Sequence, residues 1–264
     1  MHPVLFKLPF FGGIPIYSYG VLVACAFLMA IFWVGYDAKR SGLDAKRATD
    51  LVFYIILAGI LGSRIVYIVI TEWDNFVADP IIFFKLWEGG LVWYGGLIAA
   101  AIVAVIYMRH YKLPVLEYID CFAPAVALGH ALGRIGCTMA GCCFGKPIGH
   151  DAWYAMIFPA DVGSFAPPGV SLYPTQLMEA GAEFCIFGLL LVVRHYKKFS
   201  GQVIATYLIL YGVARFVIEF FRGDMDRGFV IPELISVSQL VSIFMIVIGC
   251  IFYIRFLKGT KTAG

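Results

Sequence analysis

The sequence predicts an all-α integral membrane protein of about seven transmembrane helices. Its N-terminus is expected outside and its C-terminus in the cytoplasm, with the outward loops gathered into a small head. Three observations predict this. Of the 264 residues, 61% are hydrophobic and only 14% are charged, and the mean hydropathy is +0.87, whereas soluble domains carry about 25% charged residues. Apolar segments near the roughly 20 residues that a bilayer requires recur seven times. Lys and Arg then divide unevenly, twelve in one set of connections and five in the other, with three inside spans. The richer side is cytoplasmic by the positive-inside rule. Opposite sides for the two termini require an odd number of crossings, which favours seven spans over six. The net charge of +3 is too small to indicate a nucleic-acid partner. Without repeats, low-complexity tracts or flexible linkers, the chain reads as a single membrane domain, 1–264.

The expected spans are 17–36, 50–71, 90–108, 118–138, 178–194, 202–221 and 234–255. The start, Met1-His2-Pro3-Val4, lacks the basic region and small-residue cleavage site of a signal peptide, so the first span is expected to be retained. Tyr17, Tyr19 and Gly20 open it, and Lys39 and Arg40 close it. The second carries Arg64 and leads outward to residues 72–89, where Trp73 and Trp87 suit the headgroup plane. The third opens with Gly89-Gly90-Leu91-Val92-Trp93-Tyr94-Gly95-Gly96, whose paired glycines fit a re-entrant bend, although interfacial anchoring explains Trp93 as well. Pro124 and several glycines weaken the fourth. The fifth is short and begins Tyr173-Pro174-Thr175-Gln176-Leu177-Met178-Glu179; Pro followed by a first-turn Glu is a helix-start pattern, so this polarity is read as capping. Ser238 and Gln239 in the last span need partners in lipid.

Charges at membrane depth point to function, because each Arg there costs about 2.5–3.5 kcal/mol on insertion scales. Tyr211, Arg215, Glu219 and Arg222 are spaced i, i+4, i+8 and i+11, which sets them along one helix face. An Arg215–Glu219 pair neutralises itself and locks packing on the simplest reading. One Glu does not neutralise two Arg, so Arg222 favours a polar wall facing a cavity. Arg134 sits among Gly129, Gly133 and Gly136, residues small enough for close helix packing or for backbone approach to a ligand. The planar fork of Arg suits phosphate, and Arg residues converging near the outer leaflet suit a phospholipid headgroup. Arg64 is either a third contributor or a snorkelling side chain.

In these residues the chain resembles the bacterial prolipoprotein diacylglyceryl transferases. The likeness rests on Tyr19-Gly20, the glycine pairs around position 94, Gly133-Arg134-x-Gly136, Gly141 to Gly145, Pro174-x-Gln176-Leu177-x-Glu179 and Tyr211-Gly212-x-x-Arg215-x-x-x-Glu219-x-x-Arg222. It covers most of the chain. The resemblance implies a multi-pass enzyme of the bacterial cytoplasmic (inner) membrane, with a periplasmic-side head and an active site toward the outer leaflet. Such enzymes move a diacylglyceryl group from phosphatidylglycerol to the lipobox cysteine thiol of a lipoprotein precursor. The expected partners are phosphatidylglycerol, membrane lipid and the precursor's signal peptide; the protein is expected to be a monomer without cofactor or metal. Arg134 and Arg215 are then the essential clamp, Glu219 positions Arg215, and Tyr19, Tyr211, Arg222, Gly136, Gly141 and Cys137 bind the lipid donor. Tyr94 and Cys142 complete the catalytic set.

The chain departs from the family at several of these positions. Cys137 and Ala140 stand where the family has Asn, Cys142 where it has Glu, and Tyr94 where it has a His assigned to proton handling. A phenol, with an ordinary pKa of about 10, is a poor base at neutral pH. For the cluster Cys137-x4-Cys142-Cys143 three readings stay open: packing or a disulfide, a reactive thiolate near Arg134, and, last, metal binding. His130 and His150 are the nearest imidazoles, in a spacing that matches no standard metal site. Cys25, Cys121, Cys185 and Cys250 read as ordinary buried apolar residues. Two rivals stand beside the transferase. One is a related lipid-group transferase in which Cys142 or Cys143 takes part and the acceptor differs. The other is a non-catalytic lipid-binding or transport protein, which lacks the two-half symmetry expected of a transporter.

Overall fold

The computed structural model describes residues 3–8, 14–86, 89–149, 152–160, 163–224, 228–231 and 235–261. Trp87 and His150, singled out above, lie outside the described residues. Among them seven helices are long and apolar enough to cross a membrane: α1 (Ser18–Arg40), α2 (Ala45–Thr71), α4 (Trp93–His110), α5 (Val115–Ala140), α6 (Thr175–His195), α7 (Gln202–Glu219) and α8 (Val237–Lys261). A short helix α3 (Trp73–Ala78) and a 3-10 turn (Pro80–Phe84) follow α2. Four short strands complete the described elements. β1 (Val4–Leu8) pairs antiparallel with β2 (Ile14–Tyr17), and β3 (Phe229–Ile231) pairs antiparallel with β4 (Ile235–Ser236). Every expected span is present, with ends shifted by a few residues. The fourth is continuous through Pro124 and, at 26 residues, is nearly as long as α2.

The chain forms two compact units, residues 31–118 and residues 1–30 with 119–264, and the divisions fall inside α1 and α5. In the unit of residues 31–118, α2 packs on α4 through glycines. A Cβ on Gly62 meets the Gly95 carbonyl oxygen at 2.7 Å, and one on Gly95 meets the Gly62 oxygen at 2.6 Å. Small residues let backbones approach closely where lipid supplies no hydrophobic drive. Gly95 and Gly96 are therefore a helix crossing and not the re-entrant bend expected from their pairing. The turn into α4 is made by Gly89 and Gly90, with φ of +84° and +77°.

Arg64 organises the same unit. It is 2% exposed and donates to the carbonyls of Phe83 (3.2 Å), Lys85 (3.3 Å), Gly89 (2.6 Å), Gly90 (3.2 Å) and Ile82. All five guanidinium donors are thus taken by backbone. Arg64 is neither a headgroup ligand nor a snorkelling side chain; it satisfies carbonyls that lipid would leave unpaired.

In the other unit, α5, α6 and α7 share a core of Ala123, Ala127, Ile186, Leu190, Val203 and Tyr207. Asp120 on α5 caps α7 across this core. Its carboxylate accepts the Gly201 (2.8 Å) and Ile204 (3.0 Å) amides and pairs with Lys197 at 3.2 Å. That satisfies orphan N–H groups at a helix start where Gly201 has no side chain to do so. α8 lies on α7 at Gly212, where a Cβ meets the Ser242 oxygen at 2.9 Å. α8 is itself opened by a capping box: Ser236 Oγ accepts the Gln239 amide, and Gln239 Oε1 accepts the Ser236 amide. Between α5 and α6, residues 141–149, 152–160 and 163–174 are largely non-helical. These described residues are held by bridges of Pro147 and Met156 to Leu172 and of Phe158 to Pro168, over a core of Phe158, Ala166 and Leu172.

Candidate active site

Three helices each bring an i, i+4 polar pair to one place. α5 contributes His130 and Arg134, α6 contributes Glu179 and Glu183, and α7 contributes Arg215 and Glu219. Glu179, 3% exposed, is the hub. Its Oε1 pairs with Arg134 Nη2 at 2.9 Å and its Oε2 with Arg215 Nη1 at 3.2 Å. Arg215 Nη2 reaches Glu219 Oε2 at 2.8 Å and donates to Ser238 Oγ on α8 at 3.0 Å. Arg134 Nε donates to His130 Nε2 at 3.2 Å, and His130 Nδ1 lies 2.7 Å from Glu183 Oε1. The Tyr211 ring packs on His130 with centroids 5.2 Å apart and stacks on Tyr207 at 5.7 Å. Arg134 and Arg215 each have a carboxylate within 3.2 Å, the condition for burying a guanidinium at tolerable cost.

Beside this network runs the loop after α5. Gly141 has φ +72° and Cys143 has φ +59°, a left-handed conformation that a side chain rarely adopts. The loop is clipped to the start of α6. Thr175 Oγ1 donates to the Cys143 carbonyl (3.0 Å) and Gln176 Nε2 to the Cys142 carbonyl (2.9 Å). Gly145 forms a bridge with Arg222, and the Lys146 amide donates to the Phe221 carbonyl at 2.8 Å. The thiols of Cys137, Cys142 and Cys143 converge, all three Sγ atoms lying within 4.8 Å of one another. Hydrogen bonds with Cys137 and Cys142, and the charges of Arg222 and Arg134, hold the Cys143 thiol well below the usual thiol range. Hydrogen bonds with Cys137 and Cys143, together with burial, push Cys142 up.

Several site residues sit differently from the sequence expectation. α7 ends at Glu219, so Arg222 leaves the helix face of Tyr211, Arg215 and Glu219. Its guanidinium is paired with Asp224, Nε to Oδ1 at 2.8 Å and Nη2 to Oδ2. Burial works most strongly against this cation, but the Asp224 hydrogen bonds and the negative charges of Cys143, Asp224 and Glu179 together raise the Arg222 pKa. The surplus positive charge inferred from one Glu facing two Arg is thereby removed. Tyr19 packs on α5 at Gly136, where a Cβ would lie 2.9 Å from its ring. Gly129 and Gly133 have open space around them and mark no close approach. Tyr94 lies in the first turn of α4, in the unit of residues 31–118, 58% exposed and edge-on to Trp93. Cys25 and Cys185 are exposed, not buried, and Cys121 accepts a bond from Arg194 at 3.0 Å.

The polarity at the start of α6 is not capping: Pro174 makes no side-chain cap, and Thr175, Gln176, Glu179 and Glu183 all turn inward. Sequence reasoning missed Glu179 and Glu183 as network members and considered His130 only as a metal ligand. The signal was present in the repeated i, i+4 spacing of ionisable residues within apolar segments.

A family model described as prolipoprotein diacylglyceryl transferase matches residues 3–255. The chain belongs to this family. It is 37% identical over 253 residues to phosphatidylglycerol–prolipoprotein diacylglyceryl transferase 2 of Clostridium perfringens, covering 96% of each chain. It is 36% identical to the transferase of Clostridium tetani, over 94% of this chain and 95% of the relative. To that of Acinetobacter baylyi it is 34% identical, over 90% and 87%. A diacylglyceryl transferase fold thus spans nearly the whole sequence, and the Arg134–Glu179–Arg215 network lies inside the matched region.

Proposed function

We propose that the chain transfers a diacylglyceryl group from phosphatidylglycerol to the cysteine thiol of lipoprotein precursors. The observation that carries this reading is the pair of buried guanidiniums, Arg134 and Arg215, converging on Glu179 inside a family match of this extent. In this reaction the phosphate is the leaving group, so negative charge grows on it in the transition state. Preorganised donors in a low-dielectric site stabilise such charge, each by about 10²–10³ in rate. Glu179 and Glu219 hold the Arg215 fork in place, and Glu179 and His130 hold that of Arg134. The phosphate of the donor competes with Glu179 for both. Tyr19, Tyr211, Gly136 and Gly141 shape the lipid-binding wall, with Arg222 and Cys137 beside it. Tyr94 and Cys142 act in the catalytic set. The active site faces the outer leaflet of the bacterial inner membrane, the N-terminus is outside, and the enzyme works as a monomer.

The test is transfer by purified protein in lipid, with labelled phosphatidylglycerol and a lipobox peptide. Lipidated peptide is expected from the wild type and not from Arg215→Ala, with folding of the variant checked by its thermal transition. Label that never reaches the peptide at any enzyme concentration sinks the proposal.

A further inference from the structure

The transfer requires the acceptor thiol to lose its proton, and the chain carries Tyr94 where the family's His would stand. The thiol cluster supplies another route. Cys137 lies one turn beyond Arg134 on α5, at i+3, so the cluster adjoins the phosphate clamp along one face of a single helix. Sulfur ligands at about 2.3 Å from a tetrahedral cation are about 3.8 Å apart, a closure of no more than about 1 Å from the observed separations of up to 4.8 Å. The convergence is built by the backbone. A non-glycine residue with φ +59° at Cys143 costs free energy and persists where its surroundings over-determine it. Here those surroundings are the Thr175 and Gln176 side chains, both 1% exposed, which fix the carbonyls of the two loop cysteines. A disulfide uses two sulfurs, whereas this loop brings three to one point. Three thiolates around a divalent cation carry net negative charge, and Arg134 and Arg222 both lie within electrostatic reach of Cys143.

We propose that Cys137, Cys142 and Cys143 bind a thiophilic divalent cation of the zinc class through three thiolates, leaving its fourth position for the acceptor thiol. The fourth-position role rests on the transferase reading; the metal site does not. A thiol that coordinates such a cation is deprotonated outright, and three protein ligands with one open position is the pattern of catalytic zinc sites. The acceptor's S–H proton leaves to solvent as its sulfur coordinates. The thiolate then attacks the glyceryl methylene carbon, a C–S bond forms, and the C–O bond to phosphate breaks with its electron pair remaining on the phosphate held by Arg134 and Arg215. No oxidant or reductant is needed. Spacing alone ranked metal binding last among the three readings of this cluster; the three-dimensional convergence reverses that order.

The experiment uses the full-length protein in detergent. Metal content is measured by mass spectrometry, and cobalt(II) is then exchanged in and followed by its absorption. About one metal per chain is expected, with thiolate-to-cobalt charge transfer and the visible bands of a tetrahedral site. Cys137→Ser, Cys142→Ser and Cys143→Ser should each weaken cobalt binding by at least the 10–100-fold that loss of outer-shell partners costs. The wild-type spectrum stands as evidence even if a variant fails to fold. A lipobox peptide should shift the cobalt bands, and its Cys→Ser version should not. Three thiols that react freely with a thiol reagent while no cobalt spectrum appears, or a disulfide among them, overturn the site. A cobalt site whose spectrum ignores the peptide overturns the fourth-position role. A peptide-responsive site in a protein that transfers no lipid leaves this inference standing and removes the transferase reading instead.

Discussion

Arg134 and Arg215 meet on opposite oxygens of one buried carboxylate, Glu179, at 2.9 and 3.2 Å. The two guanidiniums come from helices with no common loop, and α6 joins them. This fixes their separation without ligand, which is what electrostatic preorganisation requires. It also means that an incoming phosphate enters a site where a carboxylate already occupies the donors it needs.

Glu179→Gln keeps the shape of the hub and removes its charge. The amide nitrogen does not accept from a guanidinium, so one Arg loses its partner. Removing one member of a buried pair costs about 3–5 kcal/mol in unfavourable cases. Transfer is expected to fall about tenfold or more, as one preorganised donor is lost, with a lower thermal midpoint. A variant with the lowered midpoint but an unchanged rate would limit Glu179 to a structural role.

Arg134→Lys separates charge from geometry. Lys retains a cation near Glu179 but does not reproduce the fork that reaches His130 through Nε and Glu179 through Nη2. A loss of about 10²–10³ in kcat is expected, with little change in thermal midpoint because Glu179 keeps a counter-ion. Steady-state kinetics against phosphatidylglycerol checks this; an unchanged kcat would show that a point charge suffices.

The site was legible where its logic is helical and illegible where it depends on loops. Arg215 and Glu219 declare themselves as an i, i+4 pair in an apolar segment. Glu179 and Glu183 have the same spacing, yet they follow Pro174, and a helix-start explanation was locally sufficient. Arg222 continues the helical spacing of α7, but the helix stops at Glu219, so periodicity placed it on the wrong surface. The seven spans were readable because lipid imposes length and apolarity on each one independently. The partners of Arg64 were not, because they are carbonyls 18 to 26 residues away, and carbonyls leave no trace in a pattern of side chains.

Arg64→Lys and Arg64→Leu should rank in that order of damage. Lys offers three donors on a flexible stem to five carbonyls, and Leu offers none. Each buried carbonyl left unmatched costs about 1–3 kcal/mol. Loosening of residues 80–90 is expected, strongest in Arg64→Leu, and is read as faster amide exchange or proteolysis in that segment. Protection equal to the wild type in Arg64→Leu would mean that those carbonyls find other partners.

Gly62 and Gly129 offer a matched pair within two membrane helices. A methyl group on Gly62 meets the backbone oxygen of Gly95 at 2.7 Å and presses on the Ala99 side chain, so α2 and α4 must move apart. Overpacking of this kind costs about 1–3 kcal/mol. A methyl group on Gly129 meets nothing within 4 Å, and Ala there gains up to about 1 kcal/mol of helix propensity. Gly62→Ala should therefore lower the thermal midpoint while Gly129→Ala leaves it level or raises it. If both variants fell together, the free space beside Gly129 would have to be occupied by something that α5 packs against in the membrane, and the crossing at Gly62 would lose its special standing.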